Sequence, residues 1–252
     1  MKHLIHQLRE SARLIKFKVR NWRKQKFSCP ICGYQGPFQD IKPDTGLRKH
    51  ACCPRCSALE RHRLQFLVLE NILSSYDASK KKVLHFAPEP FFTNFLKSKF
   101  NVYESADLMM KDVDHNVDLQ ELPFSDGSYD FVFASHVLEH IPNDKKALQE
   151  IQRILKLGGI AILPVPLIGE QTIEYPEPNP HEAYHVRAPG FDYFDRYKPY
   201  FTKVEKYSSE KLPEKYQLFT YEDRSLFPNN ECPLRAAMEG ERHIDIVPVC
   251  YV

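Results

Sequence analysis

The chain has 252 residues, 42% of them hydrophobic, so it can bury a full core without covalent staples, as one large domain with a small appendage. A formal charge of +2 excludes a polyelectrolyte, and no apolar run approaches the ~20 residues of a membrane-spanning helix or the core of a signal peptide, so an intracellular protein is expected. Five of the seven cysteines fall between residues 29 and 56, a clustering that points to metal ligation in a reducing compartment rather than to a disulfide framework.

The charge is unevenly spread, because residues 1–26 carry nine Lys/Arg against Glu10 alone. Ile5, Leu8, Ala12, Ile15, Val19 and Trp22 recur at steps of three and four, which predicts a basic amphipathic helix. Such a helix can lie in an anionic membrane surface, meet nucleic-acid phosphates, or dock on the body of the protein. Residues 27–58 follow as a unit of their own. Cys29-Pro-Ile-Cys32 and Cys53-Pro-Arg-Cys56 form a C-x2-C-x20-C-x2-C pattern, the spacing of a structural zinc site. Four thiolates leave such an ion no open position, so its role is to fold a knuckle too small for its own core. Cys52 is a weaker candidate, since only Cys53 gives the two-residue gap to Cys56.

Residues 59–252 form the main domain. Ser57 and Glu60 suggest a capping box for a helix carrying Phe66, Leu67, Leu69, Ile72 and Leu73, with Glu60, Arg61, His62 and Arg63 on a solvated face or against an anionic substrate. Strands are expected at 83–86, 102–103, 131–134 and 160–165, with helices over 91–100 and 144–155, the latter stopped by Gly158-Gly159. This alternation predicts an α/β fold, a doubly wound, mostly parallel sheet covered on both faces. Ligands of such sheets sit beyond the carboxyl ends of the strands, which singles out Ala87-Pro88-Glu89, Asp107, Asp118-Leu119 and Ser135-His136. There is no glycine from residue 47 to 126, so the G-x-G-x-x-G turn of a dinucleotide site is excluded. S-adenosylmethionine needs no phosphate cradle, only an acid for its ribose, an acceptor for its amino group and a path past its sulfonium; Asp107, Glu89 and the small Ala87 can supply these.

Leu122-Pro-Phe124, Ser128-Tyr-Asp130, Val137-Leu-Glu-His140 and Arg153-Ile-Leu-Lys156-x-Gly-Gly159 resemble motifs of the class I S-adenosylmethionine-dependent methyltransferases of the type-11 group. With the cysteine pairs, Leu59-Glu-Arg-His-Arg63, Leu84 to Glu89 and His185-Val-Arg187, the chain after residue 28 is similar to a bacterial subfamily that adds an N-terminal zinc knuckle. The resemblance implies a Rossmann-like, seven-stranded sheet. It also implies that His85, Phe86, Ala87, Pro88 and Glu89 form the cofactor loop, with Glu89 on the methionine amino group. Asp107 would take the ribose, Asp118 and Leu119 the adenine, and Ser135 and His136 the sulfonium side. Two departures stand out: His85 to Glu89 replaces the usual acidic-x-Gly-x-Gly loop, and Leu157 stands where proline is usual.

Gly169 to Gly190, rich in Pro, Glu and His, reads as a long functional loop, and in the resembled enzymes this insertion covers the acceptor. His185 is the expected base for a hydroxyl acceptor, with Arg187 holding an acidic group on it. Residues 204–207 and 244–251 can supply the last two strands, and Cys232 and Cys250 have no partner signal. The leading expectation is an O-methyltransferase acting on a saccharide or glycolipid intermediate, cytoplasmic or peripheral at the inner membrane face. The alternatives are an RNA methyltransferase, which the acidic main domain and the lack of a base-stacking motif disfavour, and an inert zinc-stabilised binding module.

Overall fold

A computed structural model describes residues 2–252, with side chains from residue 11 onward. In chain order the elements are α1 (Lys2–Arg20), β1 (Phe27–Ser28), β2 (Gln35–Gly36), β3 (Gln39–Ile41), β4 (Arg48–Cys52), α2 (Glu60–Ser75), β5 (Lys82–Phe86), α3 (Pro90–Lys99), β6 (Val102–Asp107), β7 (His115–Asn116), β8 (Tyr129–Ala134), α4 (Asp144–Ile154), β9 (Leu155–Ile162), β10 (Ile173–Asn179), β11 (His185–Ala188), β12 (Lys203–Ser208), β13 (Thr220–Glu222), β14 (Arg242–His243) and β15 (Ile246–Tyr251). Seven strands form the main sheet in the order β12-β15-β9-β8-β5-β6-β7. Only β15 runs against its neighbours; the other pairings are parallel, as the alternation predicts.

All six residues of β8 are buried, which is why this central strand reads as a nearly continuous apolar run. Its side chains alternate between two cores: Phe131 and Phe133 pack under α2 and α3, while Val132 and Ala134 pack under α4. The α4 face is Ala147, Leu148, Ile151 and Ile154, each fully buried, and Asn143 caps the helix by accepting from Lys146 N at 3.1 Å. Each of the three larger side chains contributes roughly 1.5–3 kcal/mol by that burial. Arg153, one of the residues behind the family resemblance, is structural. Its guanidinium donates to Leu122 O at 3.0 Å and Phe124 O at 2.7 Å and pairs with Glu150, pinning the crossover between β7 and β8 to α4.

Several local expectations are revised. The helix α4 ends at Ile154, and Gly158-Gly159 lie inside β9 instead of stopping it. Gly159 is required by close approach, because a Cβ there would meet Lys156 O at 2.7 Å. The helix α2 starts at Glu60 with Leu59, not Ser57, at its N-cap, and it is His62 rather than Glu60 that reaches back, its Nδ1 accepting from Leu59 N at 3.0 Å. Glu60, His62 and Arg63 are buried, not solvated, because the cysteine module and the C-terminal segment close over this end of α2. The span 169–190 is not an open loop but an antiparallel hairpin of β10 and β11.

The cysteine module is not self-contained. Its β3-β4 ladder continues into β13 and β14, which come from the segment between the last two main-sheet strands. The predicted positions Ile15 and Val19 on α1 and Trp22 in the turn after it are about two-thirds exposed, while Leu14 packs against the cysteine module. The first positions of that stripe, Ile5 and Leu8, lie outside the residues with described side chains. No helix among the described residues is long and apolar enough to cross a membrane.

Candidate functional site

Two matching turns build the cysteine cluster. Gly33 N donates to Cys29 O and Ser57 N to Cys53 O, both at 2.9 Å, and Gly33 and Ser57 both take a left-handed φ. Cys29, Cys32, Cys53 and Cys56 converge, with Sγ separations of 3.6 Å for Cys29–Cys56 and for Cys32–Cys53. Tetrahedral zinc with Zn–S bonds of ~2.3 Å places its sulfurs about 3.8 Å apart, so the donor set fits that ion. Cys29 is driven strongly toward the thiolate by hydrogen bonds from Cys32, Cys53 and Cys56. Cys52 points away, its Sγ 3.6 Å from Cys53 O.

A cavity of about 500 Å³ opens at the carboxyl ends of β5, β8 and β9, where a doubly wound sheet binds its ligands. Ala87, at φ 47°, makes the turn that a glycine usually makes, and its N–H donates to Ala106 O at 3.0 Å, which sets Asp107 beside the turn. Glu89 lies in the cavity wall with Oε1 2.9 Å from His62 Nε2, and its Oε2 is buried without a partner. Because Leu59 N–H donates to His62 Nδ1, the ring proton is assigned to Nε2, which lies close to Glu89 without the alignment of a hydrogen bond. Burial works to raise the Glu89 carboxyl, but His62 and Arg61 outweigh it and hold it below the ordinary carboxylate range. Arg61 lines the same wall, and its Nε is buried with no partner.

Ser135 and His136 also line the cavity. Ser135 donates to Gln65 Oε1 at 2.8 Å, and His136, at φ 54°, donates its main-chain N–H to Pro164 O at 2.9 Å. Burial, with Arg61 and His62 nearby, pushes the His136 imidazole well below its ordinary pKa. Glu139, on the short 3-10 turn Leu138–His140, is fully buried. His185 comes in from β11 with its ring edge-on to His140 at 4.7 Å, and burial lowers it to about 4, so it is a neutral imidazole at pH 7.

Other expected site residues are not in this cavity wall. Asp107 lies at the end of β6, its Oδ1 accepting from Met109 N at 2.7 Å and Met110 N at 2.8 Å. Asp118 accepts from Gln120 N at 2.8 Å, and Leu119 is buried in the core. His85 does not face the cofactor side: it is fully buried against Phe92 and Phe133, with Nδ1 3.0 Å from the Tyr103 hydroxyl. Phe86 belongs to the opposite core, and Pro88 is half-buried outside the cavity wall. Successive strand residues point to opposite faces, so only the main chain of His85 and Phe86 can serve the turn.

Arg187 is also corrected. It is buried, and its guanidinium donates to Leu138 O and Ile141 O at 2.7 Å, Pro142 O at 3.0 Å and Glu174 Oε2 at 3.0 Å. Four of its five N–H groups fasten the hairpin to the segment Leu138–Pro142 and to Glu174, and the side chain is buried outside the cavity wall. The sequence reading missed the far wall, where Arg48 and Thr45 of the cysteine module meet Glu222, Arg224, Arg235 and Asp245 of the C-terminal segment. Glu222 takes Arg224 Nε at 2.9 Å and Arg235 Nη2 at 3.2 Å. These residues carry no periodicity or motif, and only the surplus of charge in an irregular segment hinted at them.

The sheet order, with one reversed strand beside the edge strand, is that of the methyltransferase form of the Rossmann-like fold. Among solved structures, an S-adenosylmethionine-dependent methyltransferase from Mesorhizobium loti aligns over 74% of this chain and 97% of its own, with a TM-score of 0.51 at 12% identity, a likeness of fold. Residues 97–163 match the family Methyltransf_11, described as "Methyltransferase domain". Curated relatives include a sterol 4-C-methyltransferase (strm-1) of Caenorhabditis elegans, 48% identical over 42 residues, covering 17% of this chain and 13% of that protein. A demethylmenaquinone methyltransferase of Listeria welshimeri is 38% identical over 74 residues, covering 27% and 29%. The chain thus spans less than a third of the length of these relatives.

Proposed function

We propose that the protein is an S-adenosylmethionine-dependent methyltransferase that methylates a hydroxyl of a saccharide or glycolipid intermediate. The observation that carries the cofactor reading is the pair of orphaned buried atoms, Arg61 Nε and Glu89 Oε2, of opposite charge in one cavity wall at the end of β5. A buried polar atom without a partner is costly, and the carboxylate and ammonium of the methionine moiety would satisfy both. Asp107 Oδ2 is the remaining acceptor for the ribose, with Asp118 and the Leu119 main chain on the adenine side. When bound, the cofactor supplies an electrophilic methyl group. Ser135 and His136 would flank its sulfonium side, and His185, neutral at pH 7, would accept the proton that an acceptor hydroxyl gives up.

The acceptor class is argued from the wall chemistry. Arg48, Arg235, Glu182, Glu222 and Asp245 dominate the far side of the cavity, which suits a polar, many-hydroxyl acceptor better than a sterol or quinone nucleus of the kind the relatives' names print. A lipid-linked form would fit α1 and the turn after it, where Ile15, Val19 and Trp22 stand exposed among Arg13, Lys16, Arg20 and Arg23, a basic and apolar pattern suited to an anionic membrane surface. Zinc on the four cysteines would fold the module that supplies the cavity's outer wall.

The test is transfer of isotope-labelled methyl from S-adenosylmethionine into host extract, separated into glycolipid, soluble saccharide, RNA and protein pools, with Asp107→Ala as control. Label in either saccharide pool supports the reading, and label in RNA overturns the acceptor. Absence of label, together with no cofactor binding in a titration, would leave an inert binding module.

A further inference from the structure

Glu139, His140 and His185 form a second cluster of donors, apart from the four cysteines. One ligand atom of each lies within 4.8 Å of the others, and all three residues line the cavity. Glu139 is fully buried, and neither of its carboxylate oxygens has a hydrogen-bond partner. His136 Nδ1 comes within 3.2 Å of Oε1 without the alignment of a hydrogen bond, and His185 Nε2 lies 4.0 Å from the same oxygen. The other nitrogen of each ring, His136 Nε2 and His185 Nδ1, is buried and also unpartnered. Native interiors rarely leave a whole carboxylate without a donor, least of all one ringed by three imidazoles.

The arrangement is held from two sides. Arg187 draws the carbonyls of Leu138, Ile141 and Pro142 onto β11, so the turn bearing Glu139 and His140 and the strand bearing His185 are fastened together by a buried guanidinium. A donor set fixed by a rigid support, with nothing satisfying its buried atoms, is what a bound ion requires.

We propose that Glu139, His140 and His185 bind one divalent transition-metal ion, of the zinc, cobalt or iron type, at the acceptor end of the cavity. Two imidazoles and one carboxylate suit such borderline ions better than calcium or magnesium, which prefer all-oxygen shells. Three protein ligands leave at least one position open, in contrast to the closed four-cysteine site. An ion there would hold an acceptor oxygen and acidify it so that its proton is released to bulk water, and His185 would then be a ligand in place of the proton acceptor described above. This role in transfer rests on the proposed methyltransferase reading; the binding itself does not.

The test uses the full chain with zinc already on its cysteines, titrated with Co(II) and followed by absorbance and by metal analysis after gel filtration. The expected result is one further equivalent of cobalt whose spectrum lacks thiolate-to-metal charge transfer, lost in Glu139→Gln and in His140→Ala. His140 is exposed, so its substitution should spare the fold, and circular dichroism checks this. No second equivalent in the wild-type chain, or one that survives both substitutions, overturns the proposal. S-adenosylmethionine affinity measured on the same samples separates the two readings: cofactor binding without the second ion sinks only this inference, and the second ion without cofactor binding sinks only the proposed function.

Discussion

Replacing Arg63 with Met should cost the protein about 4 kcal/mol of stability. Arg63 is fully buried in the first turns of α2, and its guanidinium is held by main-chain carbonyls from two distant parts of the chain. Nη1 donates to Ala51 O at 2.9 Å and Ala58 O at 2.8 Å in the cysteine module. Nε donates to Tyr216 O at 2.9 Å, and Nη2 to Gln217 O at 2.6 Å, in the C-terminal segment. The cation also stacks over Phe38, 4.3 Å from the ring centroid. Methionine keeps most of the stem packing but removes the donor from four carbonyls, of which Ala58 O alone is seen to keep another partner, Cys53 N at 2.9 Å. Hydrogen bonds from a charged donor are worth ~1.5–3 kcal/mol each, and partial relaxation brings the sum down to about 4 kcal/mol. Against a total of ~5–15 kcal/mol for a typical domain, that is a large share. Urea unfolding followed by circular dichroism, with zinc held at a fixed excess, measures the difference, and Arg63→Lys should recover about half of it. A loss below about 1 kcal/mol for Arg63→Met would refute the claim that this side chain joins the two segments.

Arg61→Met and Glu89→Gln should each weaken S-adenosylmethionine binding by roughly 10- to 100-fold, the equivalent of one charged hydrogen bond, as read by calorimetric titration; unchanged affinity in both would remove the basis of the cofactor placement. Asp107→Ala should abolish measurable cofactor binding while leaving the melting temperature within a few degrees of wild type, because its Oδ1 serves only a local turn. Cys53→Ser should release the module's zinc and lower the unfolding midpoint, checked by metal analysis and denaturant titration, and retention of one tightly held zinc would contradict the four-cysteine assignment. His85 gives a pH signature: burial depresses its folded pKa from 6.5 to about 3, so its contribution is intact above 6.5 and lost as pH falls toward 3. His85→Phe should therefore flatten the acid limb of the stability profile by up to ~1.4 kcal/mol per pH unit in that window, and an unchanged slope would show that His85 can protonate in place.

The residues themselves determined the centre of the main sheet, because β8 is a short apolar run and α4 shows its face at steps of three and four, whereas the edge strand β7, only His115–Asn116, carries no such signal. The cysteine spacing fixed the four-cysteine cluster in the same way, since a C-x2-C turn brings two sulfurs together wherever it occurs. Positions at strand ends, such as Ala87, Glu89, Ser135 and His136, were legible because topology alone carries them to one rim.

Side-chain direction and long-range closure were not legible. Period-2 alternation buries His85 away from the turn it precedes in sequence, and a motif carries no sign of that. Arg187 reads as a substrate clamp in the sequence, but the hairpin folds over Leu138–Pro142 and buries it with three of its five N–H groups on carbonyls. The far wall, from Arg48 to Glu222, Arg224 and Arg235, exists only because β13 and β14 complete the cysteine module's sheet across some 170 residues of chain. Periodicity and turn chemistry are local properties, so sequence fixes elements and their order. Which charges meet, and which are left unpaired for a ligand, depends on packing between segments that no local pattern connects.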